Sequence, residues 1–185
     1  EGAARLGDRV YWIGSHGANK DGKPRPGRRR LFATTLAVAD GKVAITPVGV
    51  PYGRLVRDLA RAPSLRGFRL EDAAKKSPHE EGALNIEGLC ATPQGALLIG
   101  FRSPIPGGKA LVVPLENPAD VVAGAEANLG EPVLLPLDGL GVRSIEFSEP
   151  RKKYLVLAGP AGDAGNFHLY SWDGPPSVKA ERCDK

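Results

Sequence analysis

The chain is poor in most of the residues that would announce a chemistry. There is no methionine, only 6% of the 185 residues are aromatic, and cysteine occurs just twice. No apolar run approaches the roughly 18 residues that read as a membrane-spanning helix, so no such span is expected. GxSxG, Walker-loop, HExxH and paired CxxC motifs are all missing, which removes support for a recognisable nucleophilic triad. Cys90 and Cys183 leave three states open: paired with each other, paired with cysteines elsewhere, or free. Cys90 reads best as a small buried apolar residue. The loop from His16 to Arg30 carries Lys20, Lys23, Arg25 and Arg28 to Arg30, but no aromatic interleaves these charges. A single-stranded nucleic-acid groove would want such rings, so the loop reads as solvated, with phosphate or carboxylate binding as its alternative and nucleic acid as no expected partner. No export signal is visible, an absence without weight because residue 1 already lies inside a repeat.

What the chain has instead is glycine (24), proline (17) and a formal charge of +4 with a pI near 9.2. That charge weakly favours anionic small molecules. The organising stretch is Asn85 to Ser103, NIEGLCATPQGALLIGFRS, two short strands around Thr92-Pro93-Gln94-Gly95. Pro presets φ in such a turn and Gly accepts positive φ without steric cost. Two other segments echo it, EGAARLGDRVYWIGSHG and IEFSEPRKKYLVLAGPAG. With Glu1, Glu87 and Glu146 aligned, Gly14, Gly100 and Gly159 each fall 13 residues later.

An internal repeat of this kind sets the architecture. The spacing predicts an all-β fold, a partial β-propeller of about three four-stranded blades, with units at about 1–50, 84–137 and 142–182. In the first unit, Asp40-Gly41 is a hairpin signal between Leu31–Val38 and Lys42–Thr46. In the third, the outer strand is expected around Val178. Residues 51–83 break the pattern with Leu55, Val56, Leu59 and Ala60 at helical spacing. They form a short helical insertion, read as surface decoration in preference to a cap over the ring. Three blades cannot close a ring, which takes about four to eight, and an open stack leaves two apolar faces bare. Residues 1–185 are therefore expected to be one domain within a longer propeller. A missing N-terminal portion, or another copy of the chain, would complete it.

The phrases EGAARLGDRVYWIGSHGANKDGK, LNIEGLCATPQGALLIGFRSPIPGGKALVVPLENP, LDGLGVRSIEF, LVLAGPAG and FHLYSWDG resemble the bacterial family catalogued as domain of unknown function 3616, in its exported proteobacterial form. The resemblance implies a β-propeller-like fold and an exported, periplasmic or extracellular protein, and it implies no activity. The Glu-Gly opening of the inner strands is more distantly similar to calcium-dependent lactonase-type and esterase-like phytase propellers, an analogy of fold alone.

In an up-and-down blade, the start of the inner strand and the end of the second strand share one end of the ring. Glu1, Glu87 and Glu146 are thus expected at one mouth of the central channel, with His16, Arg102, Asn85 and Arg143. Two uses of the cluster compete. The three carboxylates and an amide oxygen suit calcium, which takes about six to eight oxygen ligands. His16 would then be the general base of a metal-assisted hydrolase of an ester, lactone or phosphate. In the other, each Glu pairs with Arg102 or Arg143 to lock neighbouring blades, leaving a non-catalytic propeller that binds a ligand or partner at its mouth. Asn85, Arg102 and Arg143 would supply direct contacts to an anionic ligand. The scaffold is the favoured function and the hydrolase its alternative.

Overall fold

A computed structural model describes residues 1–162 and 164–183. The strands fall into three four-stranded antiparallel sheets, each running up and down in chain order. The first blade holds β1 (Gly2–Leu6), β2 (Arg9–Ile13), β3 (Leu31–Ala39) and β4 (Lys42–Tyr52). The middle blade holds β5 (Asn85–Ala91), β6 (Leu97–Ser103), β7 (Ala110–Leu115) and β8 (Val133–Leu135), with helix α3 (Pro118–Val122) before the last strand. The third holds β9 (Gly141–Ser148), β10 (Lys153–Gly159), β11 (His168–Trp172) and β12 (Ala180–Arg182). The fold is all-β and propeller-like, as the repeat predicts.

Local chemistry explains the turns. Asp40 and Gly41 both take left-handed φ, 51° and 70°, which a two-residue type I′ hairpin requires. At Thr92–Gly95, the Thr92 hydroxyl accepts from Ala96 N at 3.1 Å and Gly95 N donates to Thr92 O at 3.1 Å. The outer strand of the third blade begins at Ala180, two residues beyond Val178. Pro175 and Pro176 lack the N–H that a ladder needs, and the chain turns there through Ser177 N to Gly174 O at 3.0 Å.

Alternation places the core. Leu97, Ile99, Phe101, Leu111, Val113 and Leu115 of the middle blade face the first blade, meeting Tyr11, Ile13, Leu31 and Ala33. The opposite face presents Leu98, Ala110, Val112 and Val133 to Val142, Tyr154, Val156 and Trp172 of the third. This is period-two patterning with both faces buried. Gly88 and Gly100 let the inner strands close up. A Cβ at either would lie 2.8 or 2.6 Å from Val142 Cγ1, so the valine sits where side chains are missing.

The insertion does more than decorate. It forms α1 (Leu55–Arg61), a 3-10 turn at Pro63–Phe68 and α2 (Leu70–Ala73). Leu55, Leu59, Leu65 and Leu70 are at most 1% exposed and join the core between the first two blades. A buried polar knot fixes α1. The Tyr52 hydroxyl donates to Asp58, whose other oxygen accepts from Arg57, while Ala127 N reaches Tyr52 Oη at 3.3 Å.

Candidate functional site

Irregularities in the two inner strands bring four of the expected residues together. The ladder skips Glu87, because Ile86 pairs with Phe101 and Gly88 with Gly100. It likewise skips Arg143, between Val142–Ala158 and Ser144–Leu157. Such bulges re-aim the side chain of the extra residue, and here the two meet across the seam. Arg143 Nε lies 2.6 Å from Glu87 Oε2. Arg102 Nη1 donates to Glu87 Oε1 at 3.0 Å, and Asn85 Nδ2 donates to the same oxygen at 3.3 Å.

Both arginines also grip the third blade. Arg102 Nη2 donates to Gly162 O at 2.6 Å and Arg143 Nη1 to Pro160 O at 3.3 Å, with the Arg143 guanidinium 5.1 Å from the Phe167 ring centroid. The side chains of Glu87, Arg102 and Arg143 are only 17, 12 and 22% exposed. An ion cluster this sheltered is screened little by salt, and it ties the middle blade to the third.

Beside it opens a cavity of about 660 Å³. Its wall takes Glu1 and Ser15 from the first blade, Asn85, Glu87 and Ser103 from the middle blade, and Ala161 and Gly162 from the third. The remaining side is Pro78 to Leu84 of the insertion, including His79, Glu80 and Glu81. The sequence carries no signal that Ser103 lines a cavity, and it reads His79, Glu80 and Glu81 as solvent-exposed without placing them against one. Ser103 is a strand-end serine with no motif around it, and the 78–84 segment shows only polarity, which does not say where it lies. Glu1 approaches the middle blade through its amino nitrogen, 2.8 Å from Ile86 O.

Two of the expected mouth residues lie elsewhere. Glu146 pairs with Leu155 inside the β9–β10 ladder and is exposed. It lines a small pit with Arg5, Leu6, Thr92 and Pro93, at the hairpin-turn ends of the three inner strands and away from Glu87. The reason is hairpin length. Gly100 faces Gly88, twelve residues away, whereas Gly159 faces Gly141, eighteen away, so a fixed 13-residue offset slides Glu146 down its strand. His16 is 0% exposed and does not line the cavity. Its Nδ1 is 2.8 Å from Gly14 O, and since a carbonyl only accepts, Nδ1 carries the proton and Nε2 is left bare. No partner reaches Nε2 among the described residues. Burial lowers the imidazole pKa to about 4, so at neutral pH the ring is uncharged inside the wall.

Glu1, Glu87 and Glu146 therefore do not converge as one ligand set, and among the described residues no three His, Cys, Asp or Glu side chains cluster as metal ligands. Calcium would have to share Glu87 with two guanidiniums that never deprotonate. Cys90 is buried and unpaired, Cys183 exposed and unpaired. Among the described residues no helix is long and apolar enough to cross a membrane. No curated protein matches the chain. The model of the family described as protein of unknown function (DUF3616) matches residues 52–185, which takes in the insertion, the ion cluster and both of the blades it ties together; the chain belongs to that family.

Proposed function

We propose that this protein is a non-catalytic, propeller-type scaffold whose mouth cavity takes a small polar molecule. The observation that supports this is the engagement of Glu87, which holds a guanidinium on each oxygen. So occupied, the carboxylate acts as a staple between blades, and a base or metal ligand in the same place would have to break it. Ser15, Ser103, Glu1 and the Asn85 amide beside it offer hydrogen bonds in a space large enough for a metabolite-sized ligand. The two outer sheet faces of the scaffold pack on further four-stranded sheets of the same kind. Support comes from the exposed large apolar side chains, Leu36, Val38, Val43, Ile45 and Val50 on the first blade and Leu157, Phe167, Leu169 and Val178 on the third.

Ligand-observed NMR with a panel of small hydroxy acids, sugars and amides tests the reading. Saturation transfer to at least one compound is expected, and Ser103→Phe, which fills the cavity, should abolish it. A calcium-dependent rise in Tm of several degrees, abolished by Glu87→Gln together with ester or phosphate hydrolysis, would overturn it in favour of a metal-assisted hydrolase.

A further inference from the structure

A second cleft lies between the middle and third blades, on the hairpin-turn side and distinct from the mouth. It encloses about 970 Å³. Its floor is aromatic and aliphatic. Tyr154, 4% exposed, lies 5.0 Å from Phe147 and 5.3 Å from Trp172 between ring centroids, and Leu98 and Val133 continue the surface. Gly174 keeps this floor open. Its φ is +91°, and a Cβ there would stand 2.5 Å from the Tyr154 ring.

The walls are rich in acceptors and poor in donors. Pro93, Pro114, Pro132, Pro175 and Pro176 all line the cleft, and proline contributes a carbonyl but no N–H. Four carboxylates stand among them, Glu116, Glu131, Glu149 and Asp173, against a single lining lysine, Lys152. Lys152 is committed to Glu149 and Lys153 to Asp173. Among the described residues the Glu116 carboxylate accepts only from Asn128 Nδ2, at 2.8 Å, and neither it nor Glu131 has a cation. An acidic cleft on a chain of net charge +4 is a local reversal, which bulk charge does not explain. The Tyr154 hydroxyl adds an independent sign. Tyr154 lines this cleft while the residue as a whole is 4% exposed, and among the described residues its hydroxyl makes no hydrogen bond. Burial pushes the phenol up to about 12, so it keeps its proton at neutral pH and can both donate and accept.

We propose that this cleft binds an arginine- or lysine-bearing peptide segment. Donor-rich cationic heads answer the carboxylates and carbonyls. The aliphatic stems lie on the proline and tyrosine surfaces, the mode in which such side chains cover apolar area. A guanidinium over Phe147 or Tyr154 gains the attraction of the ring face.

The test is fluorescence anisotropy of a labelled, end-capped tetra-arginine peptide with the whole chain. Saturable binding is expected, with affinity falling about tenfold in Glu116→Gln/Glu131→Gln and a few-fold in Tyr154→Phe. Both variants keep the shape of the site, and an unchanged Tm shows that they fold. The mouth variant Glu80→Gln/Glu81→Gln removes equal charge elsewhere and should bind as tightly as the parent. Absence of binding, equal weakening in the mouth variant, or spermine binding as tightly as the peptide would each overturn the proposal.

Discussion

The middle blade and its two neighbours follow one four-strand plan, yet of the three the middle one alone is covered on both faces. Along β6 and β7 successive residues alternate between the two seams and nearly all are buried. The first and third blades each bury one face, and the exposed large apolar side chains sit on those two blades, with none on the middle one. The difference teaches where the stability resides. The seams hold the fold, and the outer faces keep the apolar pattern of a seam without a partner in this chain.

The largest effect is expected at a seam. Phe101 is 0% exposed and fills the space between the first and middle blades. Phe101→Ala should cost about 3–5 kcal/mol, a large part of a typical stability of about 5–15 kcal/mol. Phe32, stacked on Trp12 at 6.3 Å on the outward face of the first blade, should cost about 1 kcal/mol on the same change. Urea midpoints at constant slope measure both. Similar losses would mean that the two faces are equally covered, and the comparison would break.

The seams should also separate by pH. His16, packed behind the first, has its folded pKa lowered to about 4 from an ordinary value near 6.5. Between those values the unfolded chain takes up a proton that the folded chain refuses. Stability therefore falls as pH drops from about 6.5 to 4, by up to about 3 kcal/mol. The second seam holds Cys90 and Tyr154, both pushed up to about 12 by burial. Unfolding lets them ionise at lower pH, so their contribution is intact below about 9 and is lost as pH rises toward 12. His16 has φ 58°, which asparagine tolerates better than most residues. His16→Asn should flatten the acid limb of a stability–pH profile and leave the alkaline limb alone. An unchanged acid limb would show that another group drives it.

A smaller loss is expected at the ion cluster that crosses the second seam. Glu87→Gln removes the negative charge that Arg102 and Arg143 share. Losing one member of a fully buried pair costs about 3–5 kcal/mol, and the residual exposure of all three side chains reduces that to about 1–2 kcal/mol. Denaturation at low and at 1 M salt distinguishes the cases. A gap that closes in high salt would show a solvated pair and no staple.

The blades were legible in the sequence because alternation and turn residues are local signals. Asp40-Gly41 and Thr92–Gly95 specify their hairpins within a few residues. The site was legible only in part. Glu87, Asn85, Arg102 and Arg143 meet as their strand positions suggest, since three lie on one hairpin and the fourth on the adjacent inner strand. Glu146 misled because hairpin length is not visible in an ungapped repeat. The two bulges that bring Glu87 and Arg143 together depend on pairing partners that no single strand reveals. The 51–83 insertion read as decoration because its leucines are too widely spaced to show which surface they fill.

The smallest effect, and the one that bears most on the scaffold, belongs to the bare face of the first blade. Val38 and Ile45 are 73 and 59% exposed. Val38→Thr and Ile45→Thr should change the stability of this chain by no more than about 0.5 kcal/mol, as exposed substitutions do. A larger loss that grows with protein concentration would show the face already covered by a second copy. Where a further sheet packs on that face, the same exchange of an alkyl group for a hydroxyl becomes a core substitution costing about 1–3 kcal/mol. The ratio of the two costs thus measures whether a face patterned like a seam is used as one.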